Sequence, residues 1–263
     1  MIMKQNFKNL PQGEAKRYAD KTFVAMMFAK VVCVQLINML GYDLLFQDVD
    51  IIWYKNPIKY FHDNSNPFHD FDMYFQDDGA HSTRYAPLSA NSGFYYVRNN
   101  ERTRYLFTTL LYSGDLIISS HSHQQALVQL LSEHSSLFGL RVKVFHRDTH
   151  EFPGGFQYHR RKDFMKRLIK GEIDSEIFHM SWTTNKENKL KFFQQMGEWY
   201  LNEKCVGKKK HEISGNDANL ARSSLIETCC LSEPKVLCHY RDKPSKIPCS
   251  DKDPIDKGKN SFW

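Results

Sequence analysis

The sequence predicts an α/β fold, in which helices flank a largely buried sheet. Apolar residues recur at three- and four-residue steps from 21 to 40 and stop at Gly41, which indicates a glycine-capped helix. The short apolar run of residues 42–47 follows and leads into acidic residues, as a buried strand does at a sheet edge. Together these observations indicate an α/β crossover.

The later segments continue the alternation of helices and strands. Residues 56–67 are rich in Asn, Asp and His and predict a surface loop. Beyond Cys205 the periodicity fades, so we place a catalytic domain at residues 1–204 and an extension with little regular structure at 205–263. Strands are predicted at 71–76, 92–98 and 140–145, and helices at 102–112, 122–133, 161–169 and 186–202.

The composition excludes several classes of function. The net charge of +6 is not focused in one stripe, so a nucleic-acid partner is not expected. The six cysteines lack the close paired spacing of a zinc site. Four of them fall within residues 229–249, which indicates disulfides and a secretory compartment. Residues 1–20 contain no apolar run long enough for a signal peptide or membrane span, so the protein is either cytosolic or begins upstream.

Asp48 and Asp50 are the first candidates for chemistry. Residues two apart on a strand point to the same face, and two adjacent carboxylates repel unless a cation lies between them. Oxygen ligands of this kind favour magnesium or manganese over zinc. An isolated Asp-x-Asp arises often by chance as a solvated strand end. Here apolar residues precede and follow the pair, and this context favours a functional site.

Four segments of the chain together resemble a known family. Residues 41–57 read GYDLLFQDVDIIWYKNP, residues 91–98 read NSGFYYVR, and residues 152–155 read FPGG. They are followed by His179, Trp182 and Lys189. In this order the segments are similar to motifs of the nucleotide-diphospho-sugar transferases that include plant rhamnogalacturonan xylosyltransferases and extensin or arabinan arabinosyltransferases.

The resemblance implies a GT-A fold, a Rossmann-like mixed sheet flanked by helices. The nucleotide diphosphate is then expected at the carboxyl ends of the strands. Only one predicted helix precedes Asp48, so we expect the first β-α unit of such a fold to be missing.

The resemblance also implies a metal site. Asp50 and His179 would be metal ligands, and Asp48 would meet the ribose or share the metal through water. The nitrogen ligand favours Mn2+ over Mg2+. Taken alone, His179 in its apolar stretch would more often be a buried core residue.

The remaining donor-binding residues are assigned by the same resemblance. Lys189 would neutralise the diphosphate, with Lys186 as a competitor for this role. Lys30 would reach the donor sugar or phosphate, or would be an ordinary surface lysine. Further contacts with the donor are expected from Asn91, Ser92, Gly93 and Trp182.

The sequence departs from the family at His123-Gln124, where an Asp-Gln pair is usual. The change removes a carboxylate that would contact the sugar. An alignment with a gap would put Asp115 in that role, although the spacing argues against it. His123 remains a donor-binding candidate, and Gln124 is the candidate catalytic residue at the reacting face of the sugar, beside Asp48 and Asp50.

The implied function is a metal-dependent, retaining glycosyltransferase that moves a sugar from a nucleotide-diphosphate donor, such as a UDP-sugar, to a glycan or glycoprotein. The family context places it in the Golgi lumen, in cell wall polysaccharide or glycoprotein synthesis, with a membrane anchor outside this sequence. One alternative is an inactive transferase-like protein that binds sugar nucleotides or glycans. Another is a magnesium-dependent phosphatase using Asp77 and Asp78 as a later acidic pair, for which the spacing is wrong.

Overall fold

A computed structural model of the chain places most of its elements. It describes residues 11, 13, 15–16, 19–66, 69–80, 82–161, 163–183, 186–208, 212–213 and 227–237. The chain divides into two compact units, one of Met1–Arg160 with Ile173–Asn185, the other of Arg161–Glu172 with Lys186–Trp263.

The first unit contains six strands and six α-helices among its described residues. The strands are β1 (Leu44–Gln47), β2 (Ile51–Trp53), β3 (Met73–Asp77), β4 (Ala90–Val97), β5 (Val142–Val144) and β6 (Ile177–His179). The helices are α1 (Lys21–Met39), α2 (Ile58–His62), α3 (Glu101–Tyr112), α4 (Gly114–Ser120), α5 (His123–Phe138) and α6 (Gly155–Arg160).

Four of the strands form a mixed sheet in the order β1-β4-β3-β5. Strand β4 is antiparallel to both neighbours, whereas β3 and β5 run parallel. Strands β2 and β6 form a second, antiparallel sheet in which Ile51 lies opposite His179. The chain therefore changes sheets between β1 and β2.

Alternation along β3 and β4 builds a core on each face of the larger sheet. Phe75 and Tyr95 face one core, where they pack with apolar residues of α1, α3, α4 and α5. Tyr74 and Tyr96 face the other, where Phe61 of α2 stacks on the Tyr96 ring with centroids 4.5 Å apart. Residues two apart thus share a face, and the sheet is covered on both sides. The arrangement confirms the predicted mixed α/β fold of GT-A type.

The structure differs from the expectations at short elements. Residues 56–67, predicted as a loop, include α2, which buries Phe61. Strands β2 and β6 and helices α4 and α6 were not predicted, because three to seven residues are too few to display a periodicity. The helix predicted at 186–202 ends at Met196, since Gly197 takes a left-handed φ of 77°.

The second unit contains α7 (Phe164–Ile169), α8 (Lys186–Met196) and a disulfide between Cys205 and Cys229. Residues that follow the disulfide return to the end of α8. The Leu231 N–H, for example, donates to the Tyr200 carbonyl at 2.8 Å. The boundary predicted at residue 204 stays a prediction.

Helix α1 is, among the residues described, the one helix long and apolar enough to cross a membrane by length and composition. Its Val31 and Val34 belong to the core beneath the larger sheet. The N-terminal cap comes from Asp20, whose side chain accepts a hydrogen bond from the Phe23 N–H at 2.8 Å. In this structure α1 therefore packs as a helix of the folded domain.

Candidate active site

Asp48 and Asp50 lie in the turn between β1 and β2. The Asp48 N–H donates to the Gly93 carbonyl at 2.7 Å, so pairing with β4 continues one residue beyond β1. The chain then turns at Val49, which is fully exposed, while both aspartates are partly buried. The prediction that a strand face aligns the two carboxylates was therefore wrong in its geometry: a turn between two sheets brings them together.

The change of sheet brings Asp50 to His179. Because Ile51 pairs with His179, the preceding aspartate lies beside the histidine, with Asp50 Oδ1 3.7 Å from His179 Nε2. One ligand atom from each of Asp48, Asp50 and His179 lies within 4.8 Å of the others. The three residues thus form one cluster, although Asp48 and His179 are 131 positions apart in the sequence.

Gly93 forms the floor of this cluster. A Cβ atom at this position would lie 2.8 Å from His179 Cε1 and 2.9 Å from both Asn91 Oδ1 and Asp48 Oδ2. Such distances are shorter than side chains tolerate, so only glycine fits here. The backbone of β4 therefore touches three of the predicted site residues at once.

The donor set of this cluster fits a divalent cation. Two carboxylates supply hard oxygen ligands and an imidazole supplies one nitrogen, a combination suited to Mn2+ and acceptable to Mg2+. The crowding around Gly93 holds Asp48 and His179 against the same backbone. The residues present are thus compatible with the predicted metal, which itself stays a proposal.

Gln76, which was not predicted, orients the His179 ring. Its amide Nε2 donates to the Pro153 carbonyl, so its Oε1 faces the ring and lies 2.5 Å from His179 Nδ1. Since Oε1 can only accept, Nδ1 donates to it, and Nε2 is the nitrogen that lies beside Asp50. His179 itself is only 2 % exposed. No local pattern links Gln76 to His179, because they are 103 residues apart.

Lys30 lies in the site and is not an ordinary surface lysine. Its Nζ is 2.7 Å from Asp48 Oδ1 and lies 4.9 Å from the centre of the Phe46 ring. The Lys30 side chain is only 18 % exposed. The ammonium therefore compensates Asp48, and its contact with the donor stays a prediction.

Asn91, Ser92 and Gln124 make two sets of hydrogen bonds beside Gly93. Asn91 Oδ1 accepts from the Gly93 N–H at 2.7 Å. Gln124 Oε1 accepts from both the N–H and the hydroxyl of Ser92, each at 3.0 Å. Sequence reasoning had placed these residues in one pocket, and the structure brings them into contact.

Asp78 is a second residue of the site that the sequence analysis did not assign to it. Its Oδ1 accepts from Asn91 Nδ2 at 2.9 Å, and the polar side chains of Gln124 and Trp182 lie near enough to lower its pKa. Burial raises the pKa of Asp78 in spite of these neighbours. Asp77, and not Asp78, follows its apolar run in the way that Asp48 does, so this sequence signal does not single out Asp78.

Trp182 reaches Asp78 from a strained backbone. Its φ of 64° lies in the left-handed region, where a bulky side chain is a clear outlier. The indole packs on Gly155, where a Cβ would lie 2.6 Å from Trp182 Cγ. This contact explains the second glycine of the Phe-Pro-Gly-Gly segment.

His123 is the first residue of α5 and is buried. Neither ring nitrogen has a hydrogen-bond partner within the part of the chain that the structure describes. Burial, aided by the nearby charge of Lys30, holds the pKa of His123 well below its ordinary value. A neutral imidazole thus stands where the family resemblance leads one to expect a carboxylate.

The remaining candidates lie elsewhere. Lys189 and Lys186 are on α8 of the second unit, and their roles stay predictions. Asp115, the alternative to position 123, lies exposed in the first turn of α4.

Two glycosyltransferases are among the known proteins to which the chain is similar. The chain is similar to a UDP-galactose:fucoside alpha-3-galactosyltransferase of Dictyostelium discoideum, with 24 % identity covering 93 % of the chain and 37 % of the relative. It is also similar to the UDP-D-xylose:L-fucose alpha-1,3-D-xylosyltransferase 3 of Arabidopsis thaliana, with 23 % identity covering 65 % and 46 %. The chain spans less than half the length of these relatives. No solved structure matches.

A family model gives the assignment. The model of the nucleotide-diphospho-sugar transferases matches residues 3–193, which include all the motifs discussed above. The phosphatase alternative has no comparable support. The chain belongs to the nucleotide-diphospho-sugar transferase family.

Proposed function

We propose that the protein is a metal-dependent, retaining glycosyltransferase that uses a UDP-sugar donor. The observation that carries the proposal is the cluster of Asp48, Asp50 and His179 around the Gly93 backbone in a chain of this family. Both named relatives use UDP-sugars, which supports uridine as the base.

Asp48, Asp50 and His179 would hold the cation. When bound, it supplies Lewis-acid stabilisation to the negative charge that grows on the departing diphosphate. Gln76 keeps His179 Nε2 available for this site. Lys30 lies close enough to Asp48 to share in balancing charge there, and Lys189 is the second candidate cation.

The other polar residues would hold the sugar. Asn91, Gln124 and the Gly93 backbone line one side of the cluster and offer amide groups to hydroxyls. Gly93 permits the close approach because it has no side chain. Fixed donors and acceptors of this kind orient the anomeric carbon for attack.

Transfer itself would occur by displacement on the same face of the sugar. The acceptor oxygen bonds to the anomeric carbon as the bond from that carbon to the diphosphate oxygen breaks, and the acceptor proton passes to the diphosphate. Both relatives are named for α-linked products, which is the anomeric configuration of common UDP-sugar donors and supports retention. A sugar trapped covalently on a side chain of this protein would contradict this route.

The names of the relatives also suggest an acceptor and a compartment. Both act on fucose, so we propose a fucose-bearing glycan or glycoprotein as acceptor. The disulfide between Cys205 and Cys229 is typical of an oxidising compartment, which supports the Golgi lumen.

Turnover of the donor tests the proposal. Purified protein is incubated with UDP-galactose or UDP-xylose and a fucoside, with Mn2+ or with a chelator, and UDP release and product are measured. We expect turnover with Mn2+ only, and a loss of about 100-fold or more in Asp50→Asn. Asp70→Asn is the matched control, because the Asp70 side chain is 83 % exposed and lies outside the cluster. Equal rates in wild type and Asp50→Asn would exclude the metal site, and donor binding without turnover would favour the inactive alternative.

A further inference from the structure

Asp78 is a buried carboxylate whose hydrogen-bond donors are all uncharged. It is 6 % exposed, its Oδ1 accepts from Asn91 Nδ2 at 2.9 Å, and the uncharged side chains of Gln124 and Trp182 lie nearby. A buried carboxylate that has no cationic partner among the described residues is costly, and groups of this kind cluster at functional sites. The fold therefore keeps the Asp78 carboxylate as a hydrogen-bond acceptor, although its burial lowers the stability of the protein.

The donors that face Asp78 are held in place by their other ends. Asn91 Oδ1 is occupied by the Gly93 N–H, so its Nδ2 is directed at Asp78. Gln124 Oε1 is occupied by Ser92, so its amide group is directed at the same carboxylate. A carboxylate has roughly four acceptor positions, and Asn91 Nδ2 occupies one of them. Within the described part of the chain, acceptor capacity is thus left for a hydroxyl.

The position of Asp78 suits a sugar next to the diphosphate. A single carboxamide, that of Asn91, contacts Asp78 at one end and approaches the Gly93 floor of the metal cluster at the other. One side chain thus spans the distance from Asp78 to the cluster. A sugar hydroxyl is separated from its diphosphate by a similar distance.

The neighbouring His123 explains why a carboxylate is needed at this point. Position 123 would carry the sugar-binding carboxylate by family resemblance, but here it holds a neutral, buried imidazole. Gln124, the next residue on α5, lies near enough to Asp78 to lower its pKa. We propose that the Asp78 carboxylate accepts a hydrogen bond from a hydroxyl of the donor sugar, in the role that the family gives to a carboxylate at position 123. This inference rests on the proposed function.

Calorimetric binding in the presence of Mn2+ tests the role of Asp78. UDP, UDP-galactose, UDP-xylose and UDP-glucose are titrated into wild type, Asp78→Asn and Asp78→Ser. For the UDP-sugar that wild type binds most tightly, we expect each variant to bind about tenfold or more weakly, while the affinity for UDP changes less than about twofold. Asp77→Asn is the control: it removes the adjacent charge, and its Oδ1 partner is the backbone N–H of Gly79.

Analogues with one sugar hydroxyl replaced by fluorine identify the contact without any variant. Fluorine cannot donate a hydrogen bond, so we expect one analogue to bind wild type about tenfold more weakly than the parent. That penalty should vanish in Asp78→Asn, because the two changes remove the same interaction.

Three results would overturn the inference. The first is equal weakening of UDP and UDP-sugar in the Asp78 variants, which indicates a structural role. The second is a wild type that binds no UDP-sugar more tightly than UDP, and the third is an analogue series without any loss. A wild type that binds neither UDP nor UDP-sugars would instead contradict the proposed function itself.

Discussion

Oε1 of Gln76 lies 2.5 Å from Nδ1 of His179. Gln76 is on β3, which pairs with β4, whereas His179 is on β6, which pairs with β2. The contact fixes the ring so that Nε2 faces Asp50. Outer hydrogen bonds of this kind orient histidine ligands and raise their affinity for metals. We therefore expect Gln76 to orient His179 for the proposed cation.

Replacing Gln76 should weaken metal binding. In Gln76→Leu the ring of His179 loses its acceptor, and we expect Mn2+ to bind about 10- to 100-fold more weakly. Electron paramagnetic resonance of free Mn2+ measures this without turnover. Gln129→Leu is the control, since Gln129 is exposed on α5. Unchanged affinity in Gln76→Leu would show that the hydrogen bond has no influence on the site.

Gly93→Ala should disable the site. The added methyl would lie 2.8 Å from the His179 ring and 2.9 Å from Asp48 Oδ2, so both side chains must move. We expect donor turnover to fall by about 100-fold and stability by about 1–3 kcal/mol. Gly114→Ala provides a comparison, because its nearest neighbour, Phe28, would be at an ordinary 3.4 Å. Full activity of Gly93→Ala would contradict the close packing of His179 and Asp48 around Gly93.

Asp72 should stabilise the first unit in a pH-dependent manner. Arg102 holds it with two hydrogen bonds of 2.7 and 2.8 Å, and the Arg141 N–H adds a third at 2.8 Å. Although burial alone would raise the pKa of Asp72, these partners hold it below its ordinary value. Asp72→Ala should cost about 3 kcal/mol at pH 7.

The depressed pKa of Asp72 fixes the direction of the pH effect. The stabilisation is complete above the unfolded pKa of about 3.9 and is lost as pH falls through the lower folded value. Denaturant melts should therefore show the difference between wild type and Asp72→Ala shrinking below about pH 4. The control Asp70→Ala should behave as wild type. A difference that stays constant down to pH 3 would refute the assignment.

Reduction should destabilise the second unit. The bond between Cys205 and Cys229 closes a loop with a sequence separation of 24, so its loss should cost about 3 kcal/mol. Thermal melts of Cys205→Ser measure this. Cys230→Ser is a close control, because Cys230 is an exposed free thiol next to the bridge. Equal melting temperatures for the two variants would be inconsistent with the disulfide.

Sequence patterns predicted the long elements and the motifs but not the contacts between them. The second half of β4, Phe-Tyr-Tyr-Val, favours a strand, and α1 begins at Asp20 and is followed by Gly41. Asp48 and Asp50 were identified because apolar residues flank them, and His179 was added to them by the family resemblance. Gln76 and Asp78 were missed, since their partners lie on other segments and no local periodicity marks a hydrogen bond across the sheet.

The turn geometry at Asp48 was also beyond local patterns. Whether residues 48–50 continue a strand or change sheets depends on β6, which lies over 120 residues later and is only three residues long. Because β2 pairs with β6, the chain changes sheets after Asp48.

Calorimetric titration of UDP tests the central claim most directly, that Asp48, Asp50 and His179 hold a cation which binds the donor diphosphate. The titration is performed with Mn2+ and with a chelator, on wild type and on His179→Ala. We predict that Mn2+ tightens UDP binding to wild type by about tenfold or more, and that His179→Ala removes most of this gain. An equal affinity of wild type for UDP with and without Mn2+ would contradict the account.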